Sequence, residues 1–180
     1  DFPFGPRAMC ARTLCAVQQQ DSPRDIAIRA LHSLCRSVEQ YAHVYSCAVP
    51  NQTKTISGWL NSKGDKGYSI GITIAGFGGN FGRSTTIPSV SDVSFEGIAD
   101  ALSCVAQEAS QSFSLDGVIL ALDNVENLDD ESVASTLMAF RDTLFSTPHI
   151  WWLLIGQSGF GSLLQTLDPR VSDRLAGTQI

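Results

Sequence analysis

Two carboxylates, Asp123 and Glu126, follow five consecutive apolar residues, Val118–Leu122, in the stretch GVILALDNVEN. A run this dense suits a strand buried on both faces inside a parallel sheet. A carboxylate at the C-terminal end of such a strand lies where open α/β sheets take their ligands. There one acid can hold Mg²⁺ beside phosphates, usually through water, while another polar group orients an attacking water. Asp123 is the candidate metal ligand and Glu126 the candidate base. Asn124 can position a water but cannot take its proton. The plain alternative is a strand-to-loop junction with solvated acids, and the segment alone fits both readings equally.

A second apolar run, Ile150–Ile155 (IWWLLI), ends in Gly156-Gln157-Ser158-Gly159. If the two strands are neighbours, Gln157 and Ser158 point into the same crevice as Asp123, where a polar group can report on a γ-phosphate; a simple turn explains them equally well. Arg170 and Arg174 lie four apart in DPRVSDRL and would share one helix face. An arginine so presented can stabilise phosphoryl-transfer charge in a neighbouring subunit, although an ion pair with Asp168 or Asp173 is the simpler reading.

Other chemistries find little support. The glycine-rich tip Gly76–Ser84 (GFGGNFGRS) is not a P-loop: Phe77 stands where the first glycine belongs, Arg83 replaces the lysine, and Pro88 interrupts any following helix. The dinucleotide pattern fails at Phe81. His32, His43 and His149 show no metal or triad spacing, and no G-x-S-x-G elbow is present.

The elements that must position these residues alternate between strand and helix. Ala8–Val17 carries an ambiguous strand pattern. Asp21-Ser22-Pro23 starts a helix, with Ser22 as N-cap and Pro23 in the first turn, and Ala27, Ala30, Leu31, Leu34, Val38, Tyr41 and Tyr45 follow at helical spacing. Residues 48–66 read as a polar loop with a short helical turn around Ile56–Leu60. Gly67–Gly76 (GYSIGITIAG) suggests a strand with close backbone approach at its glycines. Ser94 is the next N-cap, ahead of a stripe of Phe95, Ile98, Leu102, Val105 and Ala109; Gly97 stands where a capping box needs Glu or Gln. After the Val118–Leu122 strand, Asp129 or Asp130 opens a helix with Val133, Leu137, Phe140 and Leu144 inward. Ile150–Ile155 is the second buried strand, and a short helix is expected around Phe160–Leu167. The pattern predicts one α/β domain over residues 1–180, a parallel sheet flanked by helices.

Composition bounds the function. The chain has 180 residues, 43% of them hydrophobic and 17% charged, with a formal net charge of −6. That length supports a core hiding roughly 70% of the unfolded surface, and that charge argues against a nucleic-acid surface spread over the whole domain. The five cysteines form no C-x-x-C pair and no zinc cluster, so a reducing, cytoplasmic setting is expected. No stretch approaches the ~20 apolar residues needed to span a bilayer. The chain starts at Asp1 without methionine and stops at GTQI, where a strand pattern begins, and it reads as a piece of a larger protein.

In this order and spacing, the segments resemble the P-loop ATPases of the AAA+/STAND group, in particular the branch related to replication-initiator and origin-recognition ATPases. ILALDNVENL resembles their Walker B strand, IWWLLIGQSG the sensor 1 strand, and LDPRVSDRL the following segment that carries arginine-finger candidates. GYSIGITIAGFGGNFG is similar to a glycine-rich excursion found in many bacterial members. The resemblance spans about Asp21 to Ile180 and implies an ATP-binding core, incomplete here. It makes Asp123 the Mg²⁺-associated acid, Glu126 a stand-in for the catalytic base, Gln157 or Ser158 the sensor, and Arg170 or Arg174 a finger offered to the next copy in a homo-oligomer. Asn124 sits where many members carry a catalytic glutamate.

The chain departs from the pattern in having no Walker A motif, which would precede the first strand, and no lid with its sensor 2. It is therefore not expected to be an efficient ATPase alone. The resemblance implies a regulatory switch supplied with ATP and Mg²⁺, acting on a protein or DNA partner. The alternatives are a non-catalytic α/β interaction module with a degenerate nucleotide site and, more remotely, an unrelated α/β enzyme using Asp123 as a metal ligand.

Overall fold

Gly117–Asp123 forms the central strand, β3, of a four-stranded parallel sheet. The structure, a computed structural model, describes residues 7–61, 90, 93–128, 130–157, 162, 165 and 166. Its elements run β1 (Ala8–Cys10), β2 (Cys15–Ala16), α1 (Pro23–Val44), α2 (Asn51–Asn61), α3 (Phe95–Phe113), β3, α4 (Asp130–Asp142) and β4 (Ile150–Ile155).

β4 pairs with β3 from Val118↔Ile150 to Asp123↔Ile155. β1 and β2 must therefore share the other edge of β3, which they do end to end: Cys10 pairs with Ile119, and Cys15 with Leu122. Five steps along the edge from Cys10 to Cys15 thus match three along β3, and the surplus bulges out at Ala11–Leu14. Ser33 of α1 buttresses the bulge by donating to the Thr13 carbonyl at 2.6 Å. The ambiguous pattern at Ala8–Val17 reflects this interruption.

The helices start as their sequences dictate. Ser22 and Asp25 form a reciprocal capping box, with Pro23 in the first turn, and Ala27, Ala30, Leu31, Leu34 and Val38 are all buried. Tyr41 is half-buried, while Tyr45 lies past the helix end and is exposed. The Ser94 hydroxyl accepts the Gly97 N–H at 3.1 Å and caps α3. In place of the expected loop with a short turn, Asn51–Asn61 is a full helix. Pro50 at its entry has no side-chain acceptor, and the Glu108 carboxylate of α3 substitutes by accepting the N–H groups of Gln52 and Thr53.

Helices cover one face of the sheet. Val118, Leu120 and Leu122 share that face with Ile150, Trp152 and Leu154, and they join the core with α1, α3 and α4. Phe140 of α4 is the hub of an aromatic cluster with Phe95, Phe145 and Trp152, and Trp152 donates its indole N–H to the Leu144 carbonyl at 2.9 Å. Fully burying each such side chain contributes about 1.5–3 kcal/mol. Both parallel connections, β2 to β3 and β3 to β4, advance in the same direction across the sheet. Right-handed crossovers then put their helices on one and the same face.

The opposite face carries Ile119, Ala121, Trp151 and Leu153, and no described helix covers it. Trp151 is 42% exposed and Leu153 49%. The expectation that Ile150–Ile155 is a second buried strand is corrected: among the described residues β4 pairs with β3 alone, and its exposure alternates along its length. At the start of β3, Gly117 is required by close approach, since a Cβ there would meet the His149 carbonyl oxygen at 2.8 Å. That carbonyl accepts the Val118 N–H at 2.8 Å.

The expected strand at Gly67–Gly76, the glycine-rich tip and Asp168–Leu175 lie outside the described residues. Of the segment Phe160–Leu167, Ser162, Gln165 and Thr166 are described, and they are helical and exposed. No helix among the described residues is long and apolar enough to cross a membrane.

Candidate functional site

The acid pair sits on a tight turn at the C-terminal end of β3. Asp123 closes the strand, with Ala16 on one side and Ile155 on the other. Its backbone carbonyl accepts the Val17 N–H at 2.8 Å, and its Oδ1 accepts the N–H of Asn124 at 3.0 Å. One carboxylate oxygen is thus engaged with the local backbone.

Asn124 turns the chain. It adopts the left-handed conformation, φ 59° and ψ 40°, which asparagine tolerates better than most residues. Val125–Asn127 follows as a single 3₁₀ turn with Val125 buried beneath it. Glu126 is half-buried, and its Oε2 is shielded from solvent without a hydrogen-bond partner among the described residues. A buried carboxylate oxygen without a donor is costly unless a cation, water or ligand group meets it.

One side chain locks this turn to the neighbouring strand, and a second holds that strand from α1. Asn127 donates from Nδ2 to the Val17 carbonyl at 2.9 Å. On α1, Arg29 donates to the Ala16 carbonyl and pairs with both oxygens of Asp21, at 2.6 and 2.8 Å. Asp21 in turn accepts the Gln18 N–H at 2.7 Å. The last two carbonyls of this edge are therefore each claimed by a side chain.

Asp123, Asn124 and Glu126 are brought together on one turn. Gln157 lies two residues beyond Ile155, the register partner of Asp123, at the same end of the sheet and exposed. Ser158, Arg170 and Arg174 lie outside the described residues. No group of three or more metal-capable side chains occurs among the described residues, so any cation held here would draw its remaining ligands from phosphates and water. Sequence reasoning missed Asn127, Asp21 and Arg29. Asn127 and Arg29 reach carbonyls far along the chain, and Asp21 meets Arg29 across the start of α1, at spacings no local rule singles out.

Comparison with known proteins matches this chain to no protein-family model, no curated protein and no solved structure.

Proposed function

We propose that this chain is the central part of an ATP-binding switch domain, contributing the metal-associated acid and its neighbouring sensor strand. The observation that carries the reading is the position of Asp123. It ends the middle strand of a parallel sheet, directly beside the strand that leads to Gln157. Ligands of open α/β sheets gather at that edge. Asp123 would hold Mg²⁺, whose charge would offset that of the β- and γ-phosphates. Glu126 would accept a proton from water, Asn124 would orient that water, and Gln157 or Ser158 would serve as the sensor of the γ-phosphate. Arg170 or Arg174 would serve an adjoining copy in a homo-oligomer.

The sheet face that no described helix covers supports the same reading. A right-handed connection reaches that face only by running opposite to the two observed, from a strand beside the β4 edge that no described strand pairs, back to β1. A strand–P-loop–helix unit entering ahead of β1 satisfies both needs, and it delivers the phosphate-binding loop to the same end of the sheet as Asp123.

The second reading is a non-catalytic interaction module. The half-exposed Trp151 and Leu153 favour it, since contiguous exposed apolar surface often marks a docking site. Calorimetric titration with a non-hydrolysable ATP analogue and Mg²⁺, on this chain and on any longer natural parent, separates the two. Binding by the parent supports the switch; binding by neither leaves the interaction module.

A further inference from the structure

Val125 packs beneath the acid turn and a side-chain hydrogen bond ties the turn to the neighbouring strand, and we infer that Asn127 is its positioning residue: the amide clamp on Val17 holds Asp123 and Glu126 in the arrangement that takes a divalent cation. The inference rests on the cation-site reading above. Its basis is the path of hydrogen bonds around the turn. The Asp123 carbonyl takes the Val17 N–H at 2.8 Å, and four residues later Asn127 Nδ2 returns to the Val17 carbonyl at 2.9 Å. Val17 is thus gripped through both its backbone groups by the two ends of one turn.

Within that loop of bonds, the Asn127 N–H closes on the Asn124 carbonyl at 3.0 Å and fixes the left-handed residue that separates the two acids. Among the described residues, Glu126 has no hydrogen bond at Oε2 to aim it. Its direction follows the backbone of the turn, and among the described residues the side-chain hydrogen bond tying that backbone to the neighbouring strand comes from Asn127. The Val17 side chain is 1% exposed, so the far end of the clamp is fixed in the core. Arg29 holds the adjoining Ala16 carbonyl, which stiffens the strand end that Asn127 grips.

The test uses Mn²⁺ as the probe, read by paramagnetic broadening of backbone amide resonances in the full chain. Saturable broadening centred on residues 123–127 is expected in the parent sequence, and Asp123→Asn abolishes it. Asn127→Ala should raise the half-saturating Mn²⁺ concentration about fivefold, the equivalent of one net hydrogen bond. Asn61→Ala removes a comparable amide-to-carbonyl bond remote from the turn, 2.8 Å to Ser57, and should leave the midpoint unchanged.

Asn127→Asp keeps the side-chain shape but loses the donor. The clamp requires weaker Mn²⁺ binding in this variant although a negative charge is added, an outcome that a charge-counting role reverses. This variant also decides the matter if Asn127→Ala does not fold. An unchanged or lower midpoint in both Asn127 variants, with Asp123→Asn still abolishing binding, overturns the clamp alone. Absence of saturable broadening in the parent sequence overturns the cation-site reading itself, and the clamp with it.

Discussion

The carboxylate of Glu108, on α3, accepts the backbone N–H of Gln52 at 2.9 Å, across 56 positions of sequence. It also reaches the Thr53 N–H at 3.3 Å. A tertiary neighbour thus performs for α2 what an N-cap side chain does for α1. Replacing Glu108 by alanine leaves two N–H groups of the first turn without acceptors and should cost about 1–2 kcal/mol. For a chain of this size that lowers Tm by roughly 2–8 °C. Hydrogen exchange should quicken across Asn51–Asn61 before it quickens in α1. A uniform change in exchange would show that Glu108 does not act through α2.

Asn124 holds a backbone conformation that β-branched residues resist. Asn124→Val should destabilise the fold by about 1–2 kcal/mol, while Asn124→Gly should be neutral within about 0.5 kcal/mol. Urea unfolding of the two variants measures this. Equal losses from Gly and Val would mean that the Asn124 side chain, rather than its φ of 59°, matters for stability.

The cysteines should separate by burial. Desolvation pushes the Cys35 thiol up to about 12 and the Cys15 thiol to about 11, from an ordinary 9.0. Cys10 and Cys47 are exposed. A thiol reagent at pH 8 should modify Cys10 and Cys47 in the folded protein and reach Cys15 and Cys35 only on unfolding. Because the folded pKa values are raised, the stability linked to these thiols is complete below pH 9. It is lost as pH climbs toward their folded values, since the unfolded chain gives up those protons first. Modification of all four at one rate would contradict the packing of α1 on the sheet.

The helical skeleton and the central strand were legible in the sequence because their signals are local. Ser22, Pro23 and Ser94 are caps acting within one turn, and the apolar run at Val118–Leu122 has the density of an interior strand. β4 misled for the same reason. IWWLLI is as apolar as β3, and sequence cannot tell an interior strand from an edge strand whose second neighbour and second covering layer are not among the described elements. α2 was under-read because its cap, Glu108, lies on another helix. At the site, the acids announced themselves by type and place, whereas Asp21 holds Arg29, and Arg29 and Asn127 act through backbone carbonyls of β2 and the residue after it. Those contacts exist only once the sheet has formed.

The sheet face that no described helix covers should tolerate polar replacement where the helix-covered face does not. Converting both Trp151 and Leu153 to threonine, which suits a strand, should reduce fluorescence of a hydrophobic dye in the folded chain and shift Tm by no more than a few degrees. Leu122→Ala, on the helix-covered face, should cost about 2–5 kcal/mol. A comparable loss from the threonine pair would show that Trp151 and Leu153 are covered in solution.

The most direct test of the central claim is calorimetric titration of a non-hydrolysable ATP analogue with Mg²⁺ into a longer natural parent, alongside its Asp123→Asn variant and this chain alone. The switch reading expects saturable binding by the parent, at least tenfold weaker binding or a lost Mg²⁺ requirement in the variant, and little or none by the chain alone. Absence of binding by the parent, or identical Mg²⁺-dependent binding by parent and variant, contradicts it.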